Sequence, residues 1–558
     1  MTAPSSTLAG PAAQRHSAPG SSGVGLGSLA GTGELARFAM RRDRILLVVW
    51  IYALTAIAGS GGFGLKLIYK TPADRASLAG AVRSDPALAF IYGQLHGSSL
   101  GALAAWRYLA YAALAAALMS IFLVVRHTRA DEETGRLELI GSAAVGRNAS
   151  LAVAMLVASV ANIAVCVLTV AVLALSGLPI GGAIAYALAE TACGLVFAAI
   201  AAISAQISGT ARGARGIAIT AIAVAFLLRG VGDSGGGHGL SWMTWLSPIG
   251  WAELVRPFTG DRWWVLALPV GVTVVGVVTA FVLAARRDQG SGLVQPKPGP
   301  ADASWALSGP GGLAWRLQRG SIAGWVVGFL LGGLAIGVVG NGIGKLLGST
   351  GAVSKALTEI GGQAALTNAY LAACMSLLGL VAAAYAVSAV LRLRAEEADG
   401  RGEPVLVAPV SRQHWGGSHL LVALVGTVAV LVAGAFGMGF GYGASISDLG
   451  TQVPRLIGAG LAQVPAALLV AAVAAAFVGL APRASVPAGW TAVAVCGFIG
   501  VFGPALQLSQ KVLDISPFTH VPKLPGGTFT ATPLVWLSGI AVALAVVCLV
   551  GLRHRDIG

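Results

Sequence analysis

Apolar residues in this chain gather in long, nearly uncharged runs separated by short polar segments, rather than alternating as on a half-buried strand or helix. A helix crossing the hydrocarbon core of a bilayer needs about 20 largely apolar residues, and each half of the chain supplies six such runs. They lie near 45–65, 103–125, 151–176, 183–206, 217–231 and 263–285, then near 321–340, 367–390, 420–443, 456–479, 487–507 and 533–552. The run at 217–231 is the shortest. The pattern predicts an all-α polytopic membrane protein of about 12 transmembrane helices, with both termini on one side.

Arginine placement orients these spans, because short loops rich in Lys and Arg stay in the cytoplasm. Clusters precede the first span and follow the second, fourth and sixth, and the second half repeats this arrangement. All fall on one side, which is expected to be cytoplasmic, whereas the other side carries only scattered Lys and Arg.

The arginine loops also expose an internal repeat. Arg129, Asp131, Glu132, Gly135, Arg136, Glu138 and Arg147 reappear in register as Arg394, Glu396, Glu397, Gly400, Arg401, Glu403 and Arg412. Further matches are Arg41, Arg44 and Trp50 with Arg316, Arg319 and Trp325, the Ser-Pro pairs at 247–248 and 516–517, and the exits RDQG at 287–290 and RDIG at 555–558. An even number of spans per copy gives both copies one orientation. This is a parallel repeat, a geometry expected to place a pathway between the halves.

The expected organisation is a disordered cytoplasmic tail over 1–34, a six-helix half over 35–290, a flexible Gly/Pro/Ser-rich cytoplasmic linker over 291–311, and a second half over 312–558. Just ahead of each first span, Leu35, Phe38 and Met40 mix with Arg37 and Arg41, and Leu313, Trp315 and Leu317 mix with Arg316 and Arg319. Both stretches suit a helix lying along the inner leaflet. The segments 232–262 and 508–532 combine Ser-Pro, Trp and Gly, as expected where a segment is broken or re-enters.

Composition supports the same class. Of 558 residues 56% are apolar and 10% charged, with a mean hydropathy of +0.80, so a soluble protein is excluded. The net charge of +14 is dispersed among loops and forms no basic stripe interleaved with aromatics, which argues against nucleic acid as a partner. All five cysteines fall in apolar runs without CxxC spacing and read as small buried hydrophobes, with no disulfide or metal.

Catalytic and nucleotide-binding motifs are missing. Gly344-Lys345 is the nearest fragment of a phosphate loop and lacks both the upstream glycine and the following Ser or Thr. HExxH, GxSxG and His/Cys metal spacings do not occur, so the chain reads as a non-enzyme with no cofactor of its own. Glu190 stands inside the fourth span, where an ionisable group is costly. It is either paired or solvated at a helix interface or, alternatively, a coupling-ion carboxylate on a substrate path. Asn162, Gln206 and Gln463 read as interhelical hydrogen-bond partners, and Gly-x-x-x-Gly spacings at 328–332, 333–337 and 437–441 suit close helix packing.

That leaves the paired charged loops. Retention of positive charge explains their arginines but not the matched acids, whereas a docking surface for a soluble partner explains both. The second copy, RAEEADGRGEPVLVAPVSR, resembles the loop between the second and third helices of ABC-2-type permeases, with its E-x-x-x-G-x-x-E followed by P-V-x-R. Residues 35–558, including WLSPIGW at 245–251 and RRDQGSGL at 286–293, are similar to the actinobacterial polyketide-antibiotic exporter permeases, the tetronasin type and a mycobacterial drug-efflux permease among them.

The resemblance implies a multi-pass permease of the cell membrane that exports hydrophobic or amphipathic small molecules, antibiotics among them. A separate ABC ATPase, in two copies, would carry ATP and Mg and dock on the loops, with Glu132, Glu138, Glu397 and Glu403 pairing with its basic residues. Pro409 completes the pattern in the second copy, while Ala144 stands in its place in the first. The alternative of another class is an ion-coupled secondary transporter, for which Glu190 would have to carry the ion.

The topology is testable by labelling. Cysteines placed at Thr7 and Ser291 are expected to react with an impermeant maleimide only after permeabilisation, and one at Ser84 in intact cells. Labelling of Ser291 from outside would mean an odd number of spans before it, and the parallel repeat would be lost.

Overall fold

A computed structural model describes residues 29–83, 86–136, 145–234, 239–287, 290–294, 302, 307, 309–348, 362–502 and 509–555. Its principal helices are, in order, α1 Thr32–Arg42, α2 Arg44–Gly59, α3 Pro72–Val82, α4 Pro86–Tyr92, α5 Leu100–Val125, α6 Ala149–Leu175, α7 Ile180–Ile207, α8 Ala211–Ser234, α9 Pro248–Leu254 and α10 Ala267–Ala285. They continue with α11 Pro310–Gly348, α12 Gly362–Ala398, α13 Glu403–Val407, α14 Arg412–Ser445, α15 Leu449–Leu480, α16 Pro482–Phe502, α17 Gln510–Leu513 and α18 Ala531–His554. The chain divides into two compact units, Met1–Lys70 with Tyr92–Lys297, and Thr71–Ile91 with Pro298–Gly558.

Among the described residues, 11 helices are long and apolar enough to cross a membrane. They coincide with eleven of the twelve expected runs. The remaining run, 487–507, is covered by α16 as far as Phe502, and its last residues lie outside the described ones. The shortest expected run proves to be a full span, Ala211–Ser234 of 24 residues. Its apolar stretch looked short because Arg212, Arg215, Arg229 and Asp233 all sit on the helix itself, near its two ends.

The stretches ahead of the two halves differ. In the first half α1 is a separate short helix that buries Ala36 and Ala39 and leaves Phe38 exposed, and α2 begins after Asp43. In the second half the corresponding residues 313–319 belong to the continuous 39-residue α11. A second separate interfacial helix is therefore absent, because no residue there breaks the backbone hydrogen-bond ladder.

Within the second unit α11 and α14 meet along a glycine seam. A Cβ on Gly333 or Gly337 would strike the carbonyl oxygens of Gly434 and Met438, and one on Gly437 or Gly441 would strike those of Leu330 and Leu334. Two of the three expected Gly-x-x-x-Gly spacings thus bring backbones together. The third does not, since Gly328 and Gly332 face open space. Within the first unit the close pair is α5 and α7, whose contact surfaces are largely alanine. Asn162 on α6 donates to Ser120 Oγ on α5 at 2.9 Å, an interhelical bond of the expected kind.

The seam makes a graded prediction. Gly437→Ala forces its Cβ into backbone and is expected to destabilise the protein by about 1–3 kcal/mol. Gly328→Ala meets nothing and should stabilise by roughly 0.5–1 kcal/mol through helix propensity. Thermal unfolding of the purified protein in detergent would check both. Equal effects at the two positions would count against the seam.

Candidate functional site

In both halves the second span runs past its apolar stretch into charge and stops at a glycine. α5 continues through one wide turn, Arg126–Ala130, and a final turn, Asp131–Glu133. α12 runs unbroken to Ala398. Gly135 and Gly400 then both adopt φ +69°, a conformation that costs glycine little and lets the chain reverse.

The matched charges fold back onto their own half. Arg129 is fully buried and donates from Nε to the Ala205 carbonyl at 2.6 Å, from Nη1 to Glu132 Oε2 at 2.7 Å and from Nη2 to the Ser291 carbonyl at 2.6 Å. Both Glu132 oxygens also accept from Arg287, just beyond α10, at 2.5 and 3.2 Å. Arg147, at the re-entry of the loop, donates to the Arg287 carbonyl at 2.6 Å. The second half repeats this with its counterparts. Arg394 pairs with Glu397 at 3.2 Å, Arg555 donates to both Glu397 oxygens at 2.5 and 2.7 Å, and Arg412 donates to the Arg555 carbonyl at 2.5 Å.

A second matched pair of acids holds the start of the loop. Asp131 accepts from Arg42 at 3.1 Å and from Arg136 at 3.4 Å. Glu396 pairs with Arg392 at 2.7 Å and accepts from Arg401 at 2.8 Å. Beside Glu396 the Arg401 guanidinium is held above its ordinary value.

These contacts revise the reason for the acids. Glu132 and Glu397 already have arginine partners within the chain. What the loops present outward is different. Arg136, Asp399 and Arg401 are half-exposed, and Glu403 opens α13, whose Val407 is 88% exposed, with exposed Pro409 two residues on. Glu138 and the stretch of the first loop matching α13 lie outside the described residues.

Two features were not expected. Gln206, anticipated as an interhelical partner, accepts from Arg287 Nε at 2.6 Å. The first residues of the linker, expected to be flexible, are bound: Leu293 and Val294 donate to the carbonyls of Gln206 and Ile207, and Ser208 and Val294 form a parallel bridge. The exact recurrence of Arg-Asp-x-Gly at both exits was the available sequence signal for Arg287 and Arg555. Glu190 is fully buried and accepts one hydrogen bond, from Thr169 on α6 at 3.3 Å. This is a helix-to-helix contact within one half.

A family profile described as the C-terminal domain of the multidrug efflux system permease Rv1217c matches residues 307–553. The chain is 41% identical over 531 residues to the multidrug efflux system permease protein Rv1217c of Mycobacterium tuberculosis (strain ATCC 25618 / H37Rv), covering 94% of this chain and 95% of that one. The chain belongs to this permease family. The permease is accordingly a multi-pass membrane protein, and similarity over nearly its full length spans both repeats.

Breaking the clamp should be costly and non-additive. Glu132→Gln or Glu397→Gln removes a charge-assisted partner and is expected to lower stability by about 1.5–3 kcal/mol. Combined with Arg287→Met or Arg555→Met respectively, the second change should add little. A double-mutant cycle on thermal unfolding would read this coupling, and simple additivity would show the pairs to be inert.

Proposed function

We propose that the permease is the membrane subunit of an ATP-driven exporter that moves hydrophobic or amphipathic compounds, drugs and antibiotics among them, out of the cell. ATP and Mg would be bound by a separate ABC ATPase, two copies of which dock on the paired loops. The arginine-rich ends face the cytoplasm, both termini with them, in the cell membrane.

The observation that supports this reading most strongly is the repetition of the clamp. In each half the loop is tied by a Glu–Arg pair to the segment following the last helix, so a force applied at the loop reaches both the second and the sixth span of that half. A merely solvated loop has no need of such a linkage. The docking surface assigned here is the exposed part of each loop, Arg136 in the first copy and Asp399, Arg401, Glu403 and α13 in the second. Glu132 and Glu397 transmit the force and do not touch the partner. The missing phosphate loop leaves ATP chemistry to that partner.

Two experiments test the reading. Resistance in cells should require the ATPase, and resistance that survived its deletion but collapsed with a protonophore would favour the ion-coupled alternative. Val407→Asp combined with Glu403→Ala should cut co-purification of the ATPase at least tenfold, since losing a desolvated apolar contact and a charge-assisted bond exceeds about 1.4 kcal/mol. Membrane levels and melting temperature should stay unchanged. Unaltered co-purification and export would remove α13 from the docking surface.

A further inference from the structure

The end of the first half opposite its arginine clusters holds a second charged group that neither the clamp nor the docking surface uses. Arg229, fully buried in the penultimate turns of α8, donates from Nη1 to Glu253 Oε1 on α9 at 3.0 Å and lies 3.9 Å from Asp233 Oδ2. Asp233 Oδ1 accepts from Thr244 Oγ1 at 3.0 Å. Among the described residues two buried oxygens have no conventional donor, Asp233 Oδ2 and Glu253 Oε2, although the two carboxyls are within hydrogen-bonding reach of one another.

Charge decides how this cluster is occupied. One guanidinium against two carboxylates leaves a buried net charge of one negative unit, which is far more costly than a neutral arrangement. One proton on Glu253 solves both problems. Its Oε2–H then donates to Asp233 Oδ2, Oε1 keeps its bond from Arg229, and the cluster becomes neutral with both orphan oxygens satisfied.

We propose that Glu253 and Asp233 form a proton-binding site in which a single proton bridges the two carboxyls and holds α9 against the end of α8. Among the described residues, the ion pairs of both carboxyls are with Arg229. Tyr111 and Arg107 face the cluster from α5, with the Arg107 guanidinium over the Tyr92 ring at 5.0 Å. Gln94 donates to the Asp233 carbonyl, and Asp261 accepts from the Phe258 backbone N–H. On α7 the charged residue is Glu190, bonded instead to Thr169, and α10 carries no charged side chain. Arg256 and His96 line, with Glu253, a cavity of about 30 Å³. That is room for water, and hence for proton exchange.

The second half lacks this cluster. Aligned on Ser247-Pro248 and Ser516-Pro517, the residues Arg229, Asp233 and Glu253 fall opposite Phe498, Phe502 and Pro522. Those positions carry no charge in the second copy, where Ser516-Pro517 opens only a short turn, Pro517–Thr519, in place of a helix like α9, so the trio is particular to the first half.

Burial pushes the Glu253 carboxyl well above its ordinary range, with Arg229 opposing. A carboxyl raised in the folded state stabilises most below the unfolded carboxylate range, and that stability is lost as pH rises through it toward the folded value. The test is thermal unfolding of the full-length permease in detergent from about pH 5 to about pH 9, for wild type, Glu253→Gln, Asp233→Asn and the double variant. An amide at 253 reproduces every bond of the protonated acid. An amide at 233 leaves Glu253 ionised against Arg229.

Each single variant is therefore expected to fold and to lose the alkaline fall in melting temperature that wild type shows, on the order of 2–4 °C. The double variant takes both carboxylates away from Arg229 and should melt lower at every pH. Infrared spectra should show a protonated carboxylic acid C=O band in wild type that Glu253→Gln lacks. A Glu253→Gln protein that fails to fold, that is as unstable as the double variant near pH 6, or that keeps the wild-type pH profile would overturn the proposal, because Glu253 would then be an ionised partner of Arg229.

Discussion

A buried carboxylate at the end of a membrane span has to find a guanidinium, and twice in this chain it finds the one that follows the last span of its own half. The pairs Glu132–Arg287 and Glu397–Arg555 organise much of what surrounds them. They explain why the second span overshoots its apolar stretch, why a left-handed glycine comes next, and why Arg147 and Arg412 return to cap the carbonyl of the same exit arginine. Removing either partner leaves a charge in a place that water reaches poorly, so the interaction constrains the loop more than it stabilises the fold.

Around this shared device the halves are built differently. The first relies on polar cross-links, with Asn162 to Ser120, Glu190 to Thr169, and a buried Asp43 paired with Arg126 and His127. The second relies on close backbone approach along the seam of α11 and α14. In lipid, where apolar association gains nothing from water, these are the two means by which helices recognise each other. The linker adds a further asymmetry. It continues from the first exit and is bound to the first half by Arg129 and the strand-like pairing at Val294.

The contrast extends to the other end of the first half, where a trio of charged residues takes positions that are Phe, Phe and Pro in the second copy. Polar groups buried at such cost, opposite apolar residues in the other copy, mark a place where the two copies differ in chemistry and in local structure.

Much of the fold was legible in the sequence because the bilayer imposes a length and a polarity that a single chain must satisfy locally. Eleven of the twelve runs could be located from apolar residues alone, and the repeat could be read from a register of charges. The turns at Gly135 and Gly400 were likewise visible, since only the glycine in a helical stretch of charged residues marks where it ends. Pairing was not legible. The distance along the chain from Glu132 to Arg287, or from Glu397 to Arg555, carries no signal of contact, so acids without visible partners looked available to another protein. Tertiary structure decided that they were already taken, that Gly437 meets a backbone while Gly328 meets nothing, and that Glu253 and Asp233 share one arginine. Hydrophobicity is a property of each residue and survives in the sequence, whereas a charge acquires its role from whichever opposite charge the packing brings within about 3 Å.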